Sequence, residues 1–307
     1  MKYIAGIGGA NMDVHGRSDC AILLRDSNPG TLHMSMGGVC RNVCENLARL
    51  GYDVRLCSVV GDDGNGRTLM EGCRAAGINM DGVQMLRGER TSTYISLNDE
   101  AGDMLVAMSD MHIIKRMDAR FVDACMDTLL GAEMVVCDGN LSPSTVERLT
   151  EVCHRPLYLD PVSTAWSRQL RPWIGQFHTV KPNRMELSAL TGLPCETDEE
   201  LLLACDVLRG TGVQRVFVSL GAEGMFYRGP EGTLRGRSRP IERMANATGA
   251  GDAALAGIIH ADLCGMDARG ALQCAMAAGI LAIQSPDTIS AEMTPGAIEK
   301  TIEEYIK

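Results

Sequence analysis

Short apolar runs alternate along the chain with segments whose apolar positions recur at helical spacing. Tyr3 to Gly9 reads as a buried strand ending in glycines, and Val39, Val43, Leu47 and Leu50 then form a helical stripe closed by Gly51. Val54 to Val60, Met134 to Cys137, Leu157 to Leu159, Thr179 to Lys181 and Val216 to Leu220 continue the beat as further strands. Strands alternating with helices predict an α/β fold, in which a mostly parallel central sheet is covered by helices on both faces. Two stretches break the rhythm, Ala21 to Met36 and Gly82 to Asp110. In the second, Ser92 to Leu97 and Met104 to Met108 flank a turn from Asn98 to Gly102. These predict hairpins outside the main sheet, at the end of a parallel sheet where ligands bind. The expected organisation is a single domain over residues 1–307 with a small β lid formed by excursions at about 15–36 and 82–110.

At 307 residues, with 45% hydrophobic and 22% charged positions, the chain can bury a core of its own and is neither disordered nor collagen-like. A net charge of −10 argues against nucleic acid or an anionic membrane as partner, since both select a basic surface. The twelve cysteines contain no C-x-x-C pair, which excludes a zinc ribbon and fits reduced thiols in the cytoplasm. No apolar run from Met1 onward has the length of a signal core or a membrane span.

The strongest chemical signal is Ala247-Thr248-Gly249-Ala250-Gly251-Asp252, placed directly before the apolar helical run Ala253 to Leu263. Small residues let a phosphate approach the backbone, and unpaired N–H groups at a helix start stabilise the charge that develops during phosphoryl transfer. Asp252 in that first turn is the candidate base for an attacking hydroxyl, with the helix dipole favouring its ionised form. A helix opening on glycines with a dipole-matched aspartate is the plainer reading of the same residues. Rival phosphate motifs fail: no Gly-Lys dipeptide supports a Walker A loop, and the third position of a Rossmann fingerprint falls on Asn11.

T-G-A-G-D, together with an early G-G-x-x-x-N (Gly37, Gly38, Asn42) and a middle N-x-x-E (Asn183, Glu186), resembles the ribokinase or PfkB family of carbohydrate kinases. The resemblance covers essentially the whole chain, with Asn11 and Asp13 after the first strand and Gly61-Asp62-Asp63 in family order. It implies a ribokinase-like three-layer sandwich and transfer of the γ-phosphoryl group of ATP to an alcohol. Asn11, Asp13, Gly38 and Asn42 would meet substrate hydroxyls, with Asn140 as a further sugar contact. Gly249, Ala250 and Gly251 would form the anion hole, and Thr248, Asn183, Ser219, Gly221 and Gly224 would bind the nucleotide. Glu186 would position Mg2+ through water, although Asn183 with Glu186 is equally a helix capping box. The alanine-rich stretch Ala268 to Ile283 would wall the adenine. In this family an acidic residue six places before the base often accompanies a monovalent cation. Here that position is Asn246, which leaves K+ activation open.

Ribokinases carry a lysine after the early glycine pair, where this chain reads Val39-Cys40-Arg41. The segments 26–30, 37–42, 104–111 and 160–163 are instead similar to the pseudouridine kinases of bacteria. That similarity implies phosphorylation of the 5′-hydroxyl of pseudouridine. The lid strand Met104 to Met108 would then have one apolar face toward substrate and the other toward a second protomer in a homodimer. Two alternatives stay open: a kinase for another nucleoside or a furanose, and a noncatalytic sensor on the same fold.

Overall fold

The computed structural model describes residues 2–101, 103–241 and 244–306, so Met1 and the turn residue Gly102 lie outside the described residues. Thirteen strands appear in chain order among the described residues. They are β1 (Ile4–Ile7), β2 (Asn11–Ser18), β3 (Gly30–Gly37), β4 (Val54–Gly61), β5 (Ile78–Leu86), β6 (Thr93–Asn98), β7 (Met104–Asp110), β8 (Met134–Asp138), β9 (Leu157–Asp160), β10 (Thr179–Val180), β11 (Arg215–Ser219), β12 (Met225–Gly229) and β13 (Gly232–Gly236). Nine of these form one sheet in the order β13-β12-β11-β10-β9-β8-β1-β4-β5. Every pairing from β11 to β5 is parallel, and β12 and β13 close the other end as an antiparallel hairpin.

Side chains alternate across this sheet and both faces are buried, as parallel sheets require. Ile4, Val54, Leu56, Val60 and Phe217 face one core, with the helices Val39–Arg49 and Ala250–Leu263. Ala5, Ile7, Cys57, Val59, Val216 and Val218 face the second, on the opposite side. Helix starts follow the sequence signals. Asp63 caps the helix Gly64–Ala75 by accepting from Gly66 N, and it also accepts from Thr91 N at 2.9 Å. Ser142 followed by Pro143 opens the helix Pro143–Val152.

The remaining strands form a separate sheet in the order β3-β2-β6-β7. Its make-up differs from the sequence reading in two ways. The segment Gly82 to Leu86 belongs to β5 in the main sheet, where it pairs with Cys57 to Gly61 after a register shift. The strand the sequence missed, β2, begins already at Asn11 and is the partner of both β3 and β6. The chain therefore leaves the large sheet directly after β1, which places Asn11 and Asp13 at the junction of the two sheets.

Candidate active site

The carboxyl ends of β1, β8 and β9, the small sheet and the start of the helix Ala250–Leu263 enclose a cleft of about 920 Å³. Asn11, Asp13, Gly38, Asn42, Asn140, Thr248, Gly249 and Asp252 all line it, so eight of the residues singled out in the sequence share one cavity.

Two adjacent glycines shape one wall. A Cβ on Gly37 would lie 2.3 Å from Asp13 Oδ2, and one on Gly38, whose φ is 101°, would lie 2.4 Å from Gly9 O. Neither contact is sterically tolerable, so the strand end must be glycine for Asp13 and the β1 loop to sit where they do. Asn11 Nδ2 donates to Asp13 Oδ1 at 2.5 Å. Burial nevertheless pushes the Asp13 carboxyl up from its ordinary value, against the pull of that hydrogen bond.

Asn42 is held from both sides. Its Oδ1 accepts from Arg41 Nη2, and its Nδ2 donates to Asp252 Oδ2 at 2.7 Å. Arg41 is itself 1% exposed, donates to Gly37 O at 3.1 Å and Met36 O at 2.7 Å, and is paired with Glu45. The sequence reading treated Arg41 only as a departure from ribokinase. The structure makes it the residue that fixes which way the Asn42 amide points.

Asp252 sits in the first turn of its helix and is 7% exposed. Burial and the neighbouring Asp160 carboxylate raise its pKa to about 7, against the Asn42 hydrogen bond, Lys181 and Arg41. The helix dipole, expected to favour the ionised form, is outweighed by desolvation and by a like charge. Gly249 stands at the N-cap with φ 81° and supplies no side-chain cap, which leaves the first-turn N–H groups of the helix uncapped by any side chain. A Cβ there would meet Thr288 O at 2.3 Å.

Three buried charged residues at strand ends were not singled out as site residues in the sequence. Asp138 accepts from Gly9 N at 2.9 Å, Cys40 N at 3.0 Å and Asn140 N at 2.9 Å, joining three segments of the cleft wall. Lys181, 3% exposed, pairs with Asp160 at 3.0 Å, and its Nζ lies 3.3 Å from the Cβ position of Gly251. Burial works against the Lys181 ammonium, but the carboxylates of Asp160, Glu186 and Asp252 hold its pKa above the usual value.

The remaining sequence candidates lie outside the cleft, around the ends of β10 and β11. Asn183 and Glu186 form the capping box of the helix Arg184–Thr191, the plainer of the two readings, and Asn183 is bridged to Ser219. Leu220 N donates to Gly224 O at 2.9 Å, closing the turn that carries Gly221. Ser219 Oγ is buried with no hydrogen-bond partner among the described residues, which fits an acceptor or donor supplied by a ligand. Ala250 and Gly251 belong to the helix start but do not line the cleft. Asn246 Oδ1 accepts from Thr248 N at 2.9 Å, so this side chain is engaged in holding the loop ahead of the helix. Met104 to Met108, expected to press one face on substrate, are exposed and stand off the cleft. Tyr94 on β6, its cross-strand partner Ser109 near the end of β7, and Met111 line it instead.

A family model for pfkB family carbohydrate kinases matches residues 1–295. The chain belongs to the pfkB family. It is 35% identical to pseudouridine kinase of Escherichia coli over 266 residues, which cover 86% of this chain and 85% of that one. It is 33% identical over 277 residues to a second Escherichia coli protein, the uncharacterized sugar kinase YeiI, covering 90% and 76%. In fold it matches Arabidopsis thaliana ribokinase, solved with ribose and ATP, at a TM-score of 0.88, 21% identity and 99% coverage of both chains. The fold is thus ribokinase-like, and this pfkB member is a phosphotransferase with an alcohol acceptor. None of the described helices is long and apolar enough to cross a membrane.

Proposed function

We propose that this kinase transfers the γ-phosphoryl group of ATP to the 5′-hydroxyl of pseudouridine, giving pseudouridine 5′-phosphate and ADP. The observation that carries it is Asp252, held by Asn42 at 2.7 Å inside a cleft rimmed by hydroxyl-binding side chains. Asp252 accepts the hydroxyl proton as the alcohol oxygen bonds to the γ-phosphorus and the bond to the ADP oxygen breaks. The amides from Gly249 to Gly251, with Lys181 behind them, face the developing charge. Asn11, Asp13 and Asn42 offer the amides and carboxylate that suit vicinal hydroxyls, and Asn140 adds a further sugar contact.

Glu186 and Asp160 are buried carboxylates with Lys181 as their shared cation. Burial first and Asp160 second push the Glu186 carboxyl up. Mg2+ bound there, near Glu186 and through water, would neutralise charge on the transferring phosphates. The turn Ser219 to Gly224 with Asn183 and Thr248 would hold the nucleotide, and the orphaned Ser219 Oγ fits that use.

A nucleoside is favoured over a free sugar by the far rim of the cleft. Trp166 and Gln169 lie three apart on the helix Thr164–Leu170, on one face, and both line the cavity. A ring for stacking beside an amide that both donates and accepts suits the imide edge of a uracil base. The small sheet acts as the lid over that base. Its outer surface exposes Leu32 (73%), Met34, Val106 and Met108 (72%), which share one face of the sheet, an apolar face covered by pairing two copies of this chain through their lids.

Coupled ADP release with pseudouridine, uridine, ribose and fructose tests the substrate. The expected result is turnover of pseudouridine with a 5′-phosphate product by mass spectrometry. Turnover of uridine or a free sugar without pseudouridine overturns the assignment and leaves the family reaction intact.

A further inference from the structure

We propose that Asp160 is a positioning residue that ties the substrate rim to the phosphoryl-transfer centre, one carboxylate oxygen holding the Val162 turn and the other holding Lys181 beside Gly251 and Asp252. The inference rests on Asp252 being the base and not on which alcohol is phosphorylated.

Asp160 ends β9, at the edge of the sheet where the cleft opens. Its Oδ1 accepts from Val162 N at 2.9 Å. Val162 has φ 68°, a left-handed conformation that is strained for a β-branched residue, so the turn persists only because something over-determines it. That turn carries Val162, Ser163 and Trp166 into the cleft wall. The other oxygen, Oδ2, lies 3.0 Å from Lys181 Nζ and 3.9 Å from the Cβ position of Gly251.

One carboxylate therefore meets the loop that faces the acceptor and the amine that faces the anion hole. A buried lysine without this partner would swing or lose its proton, since burial opposes its charge. Asp252 faces Asn42 and Arg41 from the helix Val39–Arg49, Asp160 after the β9 core and Lys181 after β10. Among these Asp160 is the group that opposes ionisation of the base by its charge. The same residue thus sets where the amine stands and how readily the base gives up its proton.

The two oxygens separate in experiment. In Asp160→Asn the amide oxygen still accepts from Val162 N while the grip on Lys181 goes. In Asp160→Ala both are lost. For Asp160→Asn we expect kcat to fall at least about tenfold with acceptor KM changed less than about threefold, and the acid limb of kcat/KM to move to lower pH. For Asp160→Ala acceptor KM should also rise. Should an unpaired Lys181 prevent folding, the neutral pair Asp160→Asn with Lys181→Met decides, since removing both members of a buried ion pair is tolerated far better than removing one. It should fold by circular dichroism and keep the kcat loss. Assays use whichever acceptor the substrate panel yields, or basal ATP hydrolysis if it yields none, so a wrong substrate and a wrong role for Asp160 give different results. Parental kcat and acid limb in folded Asp160→Asn, or parental kcat in the folded neutral pair, would overturn the proposal.

Discussion

Asn42 Nδ2 donates to Asp252 Oδ2 at 2.7 Å, joining residues 210 positions apart in the chain. Among the described residues this contact engages only one carboxylate oxygen of Asp252, and the other is placed to meet the acceptor hydroxyl. Asp252→Asn preserves the shape and can still accept from Asn42 after an amide flip. Turnover should fall by a factor on the order of 10² or more while acceptor binding by calorimetry stays within a few-fold. Full turnover in this variant would remove Asp252 as the base.

The raised pKa of Asp252 has a consequence for rate. A base must be ionised to act, so kcat/KM should fall about tenfold per pH unit below about 7 and level off above it. A profile flat from about pH 5 to 8 would contradict this environment for the carboxylate.

The same group affects stability with the opposite pH sense. An unfolded Asp ionises near 4, whereas folded Asp252 ionises at about 7, so between those values the native state binds the extra proton. Native stability therefore falls as pH rises from about 4 to 7 and stays lower above that. Asp252→Asn removes the penalty and should raise the unfolding free energy at about pH 8 by an amount on the order of a few kcal/mol, and with it the thermal midpoint, with no gain at about pH 4. Calorimetry at the two pH values checks the sign.

Arg41→Lys keeps the charge beside Glu45 but cannot reach Gly37 O, Met36 O and Asn42 Oδ1 together. The Asn42 amide is then free to flip away from Asp252. We expect kcat/KM to drop roughly 10- to 100-fold with the thermal midpoint much less affected, the signature of a misplaced group. Parental kinetics in this variant would show that Asn42 needs no such support.

Pairing of two copies through the small sheets predicts a mass twice that of the chain by light scattering. Val106→Lys, on the exposed strand β7, should return the mass to that of one chain. A monomeric parent protein would remove the lid as an interface.

Much of this architecture was legible in the sequence because the buried parallel strands are continuous apolar runs and the helix at Gly249 announces itself by small residues before an apolar stretch. Other parts were hidden for identifiable reasons. The strand β2 reads Asn-Met-Asp-Val-His-Gly-Arg-Ser, where only Met12 and Val14 are apolar and Gly16 ends the alternation, so its place between β3 and β6 has little hydrophobic signal. Within β5, Asp81 and Gly82 mimic a turn but fall next to a register shift in the pairing with β4. Asp138, Asp160 and Lys181 were passed over as strand boundaries. Their common signal was a lone charge closing each of three buried parallel runs, at the edge where such sheets bind ligands. The protonation of Asp252 was misjudged because the sequence reveals its helix but not Asp160, which arrives from a distant strand.

The three hydrogen bonds accepted by Asp138 also bear on synthesis. Gly9 and Cys40 emerge from the ribosome long before their common acceptor, and the wall they form stays open until that carboxylate has been made. A nascent amino-terminal fragment therefore carries Asn11, Asp13 and Asn42 without the carboxylate that ties their two segments together.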